Sequence, residues 1–212
     1  MAERAEPGDH PVSEGTLTLQ EAGSRQGAYR WVEQRLFEVT GSWAAAPGLP
    51  DAARVFCFEA SAQHAWHAEL WRARLPVLSG VDPDRLTRPI GQAVEPLLGS
   101  LAPGTFEGDE ETAARRFLVG LARVVLPLLL VSYRDFGRRL VPVSDAPAIR
   151  TLTLVVRDEQ EELAAAQALT DDLVAEPEAA QQAAEWTRAL GEPVLHGRDD
   201  DLLPWSEGEY AW

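Results

Sequence analysis

Lysine and asparagine are both absent from the 212 residues, and cysteine and methionine occur once each. All 19 basic side chains are therefore arginine, which excludes Schiff-base chemistry on a lysine, a P-loop lysine and a kinase-type phosphate lysine. The joint lack of Lys and Asn fits GC-rich coding and carries no chemistry of its own. The single cysteine, Cys57, excludes an intramolecular disulfide and a cysteine-rich zinc or iron–sulfur site, and a reducing cytoplasm is the expected compartment. Flanked by Phe56 and Phe58, it reads as an inert core thiol rather than a nucleophile. No glycine-rich phosphate loop and no Gly-x-Ser-x-Gly is present. Basic charge is scarce: 34 acidic residues leave a net charge of −15, which would repel a nucleic-acid backbone. Long hydrophobic runs are scarce as well. The most apolar stretch, Val124 to Val131, is far shorter than the roughly 20 residues a membrane helix needs, and Arg123 and Arg134 bracket it. Neither nucleic acid nor a membrane is an expected partner. Glu3, Glu6, Asp9 and Glu14 with no apolar core make the N-terminus unlike a secretory signal.

What is present is a globular composition, 45% hydrophobic and 25% charged. Helical blocks alternate with proline and glycine punctuation, and nothing alternates in polarity long enough for a sheet, so the expected class is all-α. A first helix is expected over Gln26 to Trp43, with Tyr29, Val32, Leu36, Val39 and Trp43 on one face. A second follows Asp51 as cap and runs to about Leu75, with the stripe Val55, Phe58, Ala62, Trp66, Leu70 and Ala73 turned inward. A proline-rich connection holds a short helix around Ile90 to Leu101. A third long helix, opened by Asp109 or the Glu110/Glu111 pair, reaches Gly137; it is apolar all round from Phe117 to Val131 and should be central, with a kink at Pro127. A fourth runs from Ala146 to about Leu173, and a fifth from Pro177 to Gly191. The expected organisation is a flexible segment over 1–25, a helical bundle over 26–191 and an acidic, aromatic-containing tail over 192–212. Seven Arg against two Asp lie between Thr112 and Arg150, whereas fifteen acids face two Arg from Asp158 onward. An acidic end carrying Trp205, Tyr210 and Trp212 can either solvate or dock on a basic groove, in cis or on a partner.

Polar residues inside apolar faces mark sites, because a carboxylate there costs energy unless something pairs with it. On helical wheels Glu33 lies at the margin of the first stripe, Glu59 within the second and Glu159 beside that of the fourth helix. Their partners are either arginines, with Arg30, Arg123, Arg134 and Arg150 as candidates, or a metal ion. His64 and His67 form an i, i+3 pair on the second helix. His67 stands about 12 Å along the axis from Glu59 at 1.5 Å per residue, so those two cannot share one ion. The same wheel turns His64 away from the stripe and sets His67 at its edge.

Three helices each pointing a glutamate at the core resemble the ferritin-like (rubrerythrin-like) four-helix bundles over about Gln26 to Leu173. In that family the first and third helices each supply Glu, and the second and fourth each supply Glu-x-x-His. Glu33, Glu59 and Glu159 fit three of these places. Ala62 and Glu162 stand where the two histidines belong, and the third helix offers no inward Glu. The resemblance implies a ferritin-like bundle with an extra C-terminal helix and one of two functions. The first is a protein without an intact metal centre or cofactor, binding a protein partner or a small apolar ligand, with a homodimer as a possible assembly. The second is a non-haem di-iron or manganese carboxylate oxidoreductase with an atypical ligand set of Glu33, Glu59, His67 and Glu159.

Overall fold

The computed structural model describes residues 16–77, 82–89 and 92–195, and every regular element among them is helical. Helix α1 spans Leu19–Ala45, starting well before Gln26 because a capping box closes its first turn: the Glu21 N–H donates to Thr18 Oγ1 at 3.2 Å, and the Thr18 N–H donates to the Glu21 carboxylate at 2.7 Å. Residues 19–25 are thus part of the bundle, not of a flexible lead-in. The expected face is the buried one, with Tyr29, Val32, Leu36, Val39 and Trp43 all inside. Helix α2, Asp51–Arg72, returns after a turn at Gly48 whose φ of 85° suits glycine. Asp51 is its first helical residue, and no side chain caps it.

The inward face of α2 is not the expected one. Val55, Phe58 and Trp66 are 58%, 70% and 47% exposed, while Ala53, Phe56, Cys57, Ala60, Ser61, His64, His67, Ala68 and Trp71 are buried. The reason is close approach to α1. A Cβ on Gly41 would stand 2.9 Å from Ser61 Oγ, and that same hydroxyl donates to the Phe37 carbonyl at 3.0 Å. Helices packed this tightly present small residues to each other, and Val55, Phe58 and Trp66 are turned outward.

A 3-10 turn, Pro83–Leu86, and the short α3, Val94–Gly99, make the connection to the central helix. That helix is α4, Glu110–Gly120, then a π-helical turn, Leu121–Val125, then α5, Leu126–Arg138. Asp109 caps it, accepting from the Thr112 N–H at 2.7 Å. The disturbance expected at Pro127 takes the form of the π turn just before it, where the Leu126 N–H reaches back to the Leu121 carbonyl. By length and composition Glu110–Arg138 could cross a membrane, but 78% of its most apolar window is buried within the protein, and it serves as the core helix. Helix α6, Ala146–Leu173, has its expected bounds. Asp145 does not cap it; its carboxylate accepts from the Val141 N–H at 2.7 Å. Helix α7, Pro177–Leu195, continues past Gly191 through Pro193 and lies against α4, where Trp186 Nε1 donates to the Arg116 carbonyl at 2.9 Å.

Around the bundle α1 packs on α2, α2 on α6 and α6 on α5. Tyr29 Oη on α1 donates to the Ser132 carbonyl on α5 at 2.9 Å. The acidic tail from 196 and residues 1–15 lie outside the described residues, and the expectations about them with it.

Candidate metal centre

Four buried side chains converge where these helices meet: Glu33 from α1, His64 and His67 from α2 and Glu159 from α6, one ligand atom from each lying within 4.8 Å of all the others. Each is 0% exposed. Glu33 Oε2 lies 2.7 Å from His64 Nδ1 and 3.6 Å from His67 Nδ1; Glu159 Oε1 lies 3.5 Å and 3.2 Å from the same two atoms. Both imidazoles therefore turn Nδ1 inward.

Their far nitrogens are also held. His64 Nε2 lies 3.2 Å from Glu162 Oε1, and His67 Nε2 lies 3.3 Å from Asp158 Oδ2. With Nε2–H donating to these outer carboxylates, loss of the inner proton leaves the lone pair on Nδ1 facing the cluster, an arrangement that orients imidazole for a metal. Glu33 is fixed in the same way: Tyr133 Oη on α5 donates to its Oε1, and Trp71 Nε1 in turn donates to Tyr133 Oη at 3.2 Å. The Trp71 and Tyr133 rings stack at 5.7 Å, forming an aromatic floor. Glu159 Oε2 and Glu162 Oε2 are buried without a hydrogen-bond partner, a costly state for a carboxylate oxygen.

Electrostatically the cluster is an excess of buried negative charge. Burial opposes ionisation of Glu33, but hydrogen bonds from His64 and His67 outweigh it and hold its carboxyl below the usual range. Burial, and then the charge on Glu33, push Glu159 up. Burial works against a charged imidazole as well, yet hydrogen bonds to Glu159 and Glu33 raise His67 to about 10, and the charges of Glu162 and Glu159 raise His64 well above its ordinary value. Burial and the Glu33 charge raise Tyr133, which keeps its proton. Cys57, pushed up to about 12 by burial, is the inert thiol expected.

Of the residues singled out from sequence, Glu33, His67 and Glu159 are brought together. Glu59 is not: it lies on the exposed face of α2, away from the cluster. His64, set aside as outward-facing, is a full member. The error has one source, the choice of α2 face by bulk hydrophobicity. Taking the face through Ala53, Cys57, Ala60, His64, Ala68 and Trp71 places both histidines inward at once. Among the described residues no arginine, Arg134 and Arg150 included, forms an ion pair with Glu33, Glu59 or Glu159; Arg30 pairs with Asp84 and Arg123 with Asp171.

No family model matches the chain, and no match is found among curated proteins or solved structures.

Proposed function

We propose that the chain is a metalloprotein, a ferritin-like helical bundle that holds a divalent first-row transition ion on Glu33 Oε2, His64 Nδ1, His67 Nδ1 and Glu159 Oε1. One observation carries this reading: the spacing of the donor atoms. Bonds of about 2.0–2.1 Å in a tetrahedral site put neighbouring ligands roughly 3.3 Å apart. Three of the four nitrogen–oxygen edges, at 3.2, 3.5 and 3.6 Å, lie near that value, the 2.7 Å edge requires a small opening, and the N···N and O···O pairs lie within 4.8 Å, so closing on an ion draws like atoms together. The orphaned Glu159 Oε2 supports it, since a cation offers that buried carboxylate a counter-charge.

Two imidazoles with two carboxylates suit zinc, iron or manganese. When bound, such an ion supplies Lewis acidity and, if iron or manganese, one-electron chemistry. The chain's own part is positioning. Asp158 and Glu162 hold the proton on each Nε2, Tyr133 holds its proton against Glu33 Oε1, and burial of all four ligands excludes water. A second reading, the oxidoreductase with two ions, is favoured by Glu162, whose Oε2 is buried and unpartnered beside His64.

The test is elemental analysis of protein purified without a histidine tag and reloaded anaerobically with Zn(II), Fe(II) or Mn(II). One ion per chain is expected, abolished by Glu159→Ala or His64→Ala and retained by Glu59→Ala. Two ions per chain would favour the second reading. Protein that stays empty under all three ions rejects both and leaves a bundle without a metal, acting by binding.

A further inference from the structure

Among the described residues, α2 carries three exposed large apolar side chains, more than any other helix. Val55, Phe58 and Trp66 are 58%, 70% and 47% exposed and lie with Ala62 along one side of the helix at spacings of three and four. Beside them on α1, Phe37 is 44% exposed, and its carbonyl is tied to Ser61 of α2. Together these side chains leave on the order of 400 Å² of apolar surface exposed, scaled from the 150–250 Å² an aromatic residue can bury. Isolated apolar residues on a surface need no explanation, but a contiguous stripe on one helix marks an interaction site.

We propose that this face is the interface of a symmetric homodimer, in which α2 crosses its copy antiparallel about Ala62. A two-fold contact must be complementary to itself, and this register is. Ala62 meets its copy, the smallest pair at the point of closest approach. Phe58 then faces the partner's Trp66. The acidic residues Asp51, Glu59 and Glu69 fall opposite the partner's Ala73, the partner's Ala65 and the partner's Val55, so no carboxylate on α2 opposes another. Asp51 also comes beside the partner's Arg72, which in the single chain pairs with exposed Glu69. In a chain of net charge −15, this register brings two α2 helices together without setting one α2 carboxylate against another. The apolar stripe supplies about half of the ~800 Å² per partner that a stable interface takes, and the polar rim around it supplies the remainder.

Sedimentation velocity on the full chain tests the assembly, and cross-linking tests its register. The expected species has twice the 23.2 kDa chain mass at ten-micromolar concentration. The double variant Phe58→Glu/Trp66→Glu should raise the dissociation constant at least ~100-fold, as loss of central aromatic anchors does, with unchanged far-UV circular dichroism. Leu19→Glu, at an equally exposed position outside the stripe, should leave the dimer intact. Ala62→Cys in a Cys57→Ala background should form an intermolecular disulfide on mild oxidation, because only a crossing at that residue brings two Cα atoms within about 7 Å. A monomer at ~100 μM, which would leave the face to some other partner, overturns the proposal. So does a dimer indifferent to Phe58→Glu/Trp66→Glu, or one that Ala62→Cys fails to link. None of these outcomes depends on whether metal is bound.

Discussion

Glu33 and Glu159 sit at the centre of the bundle with imidazoles as their nearest counter-charges, and imidazole differs from arginine in that its charge can be removed. Without a cation, protons supply the balance, which makes folding stability depend on pH with a definite sign. His67 is raised from 6.5 to about 10 and His64 is raised as well, while Glu159 is raised from 4.5. A raised group holds a proton in the folded state that the unfolded chain has released. Its contribution is complete below the unfolded value and is lost as pH climbs to the folded one. For His67 that window runs from 6.5 to about 10, and each such proton is worth roughly 1.4 kcal/mol per pH unit. Glu33, lowered, contributes above 4.5 and loses its share only in strong acid. Chelator-treated protein should therefore weaken steadily between pH 6.5 and 9.5 in urea titrations. Stability that stays flat or rises over that interval would contradict the arrangement of the four side chains. Metal-loaded protein should lack this slope, since the ion has already displaced the protons.

At the scale of elements, the helices whose faces were legible are those decided by bulk apolar volume. In α1, five large residues at helical spacing name the buried face, and all five are buried. The central helix is apolar on every side, so no choice of face arises. Helix α2 carries two competing stripes, a bulky one through Val55, Phe58 and Trp66 and a small-residue one through Ala53, Ala60 and Ala68. Hydropathy favours the first and close helix packing the second, and a distance between helix axes is not written in a single sequence. The histidines followed the face, so half of the α2 contribution to the site was lost with it. Glu33 and Glu159 were legible because a carboxylate beside an apolar stripe stands out whichever neighbour it meets. Close packing also makes Gly27 sensitive. A Cβ there would lie 2.1 Å from the Leu86 carbonyl oxygen and 2.5 Å from its carbon, so backbone must move to admit it. Gly27→Ala, ordinarily favourable within a helix, should here destabilise by about 1–3 kcal/mol, read as a lower denaturation midpoint. Gly99→Ala, where a Cβ meets nothing within 4 Å, is the matched control and should be neutral or better.

At the scale of the whole molecule, the cluster joins the consecutive helices α1 and α2 to α6, far along the chain, and Tyr133 attaches α5 through Glu33. An ion on those four ligands would bind only the assembled bundle, because the donors are scattered from residue 33 to residue 159. Binding to the folded state alone stabilises it by RT ln(1 + [L]/Kd), about 2.7 kcal/mol at a hundredfold excess over Kd. For a chain of this size each kcal/mol moves the thermal midpoint roughly 2–4 °C. A matched ion in such excess should then raise the midpoint by about 5–10 °C. Mg(II), which prefers oxygen ligands in octahedral array, should not do so. The same titration separates the four ligating side chains from the outer ones. Glu159→Ala should abolish the shift, whereas Asp158→Asn, which keeps a hydrogen-bond acceptor for His67 Nε2, should retain most of it at a higher metal concentration. Calorimetric scans across a Zn(II) or Mn(II) series would read both. A midpoint unmoved at every concentration, in protein whose circular dichroism matches the helical content, would mean that these four side chains balance one another with protons alone.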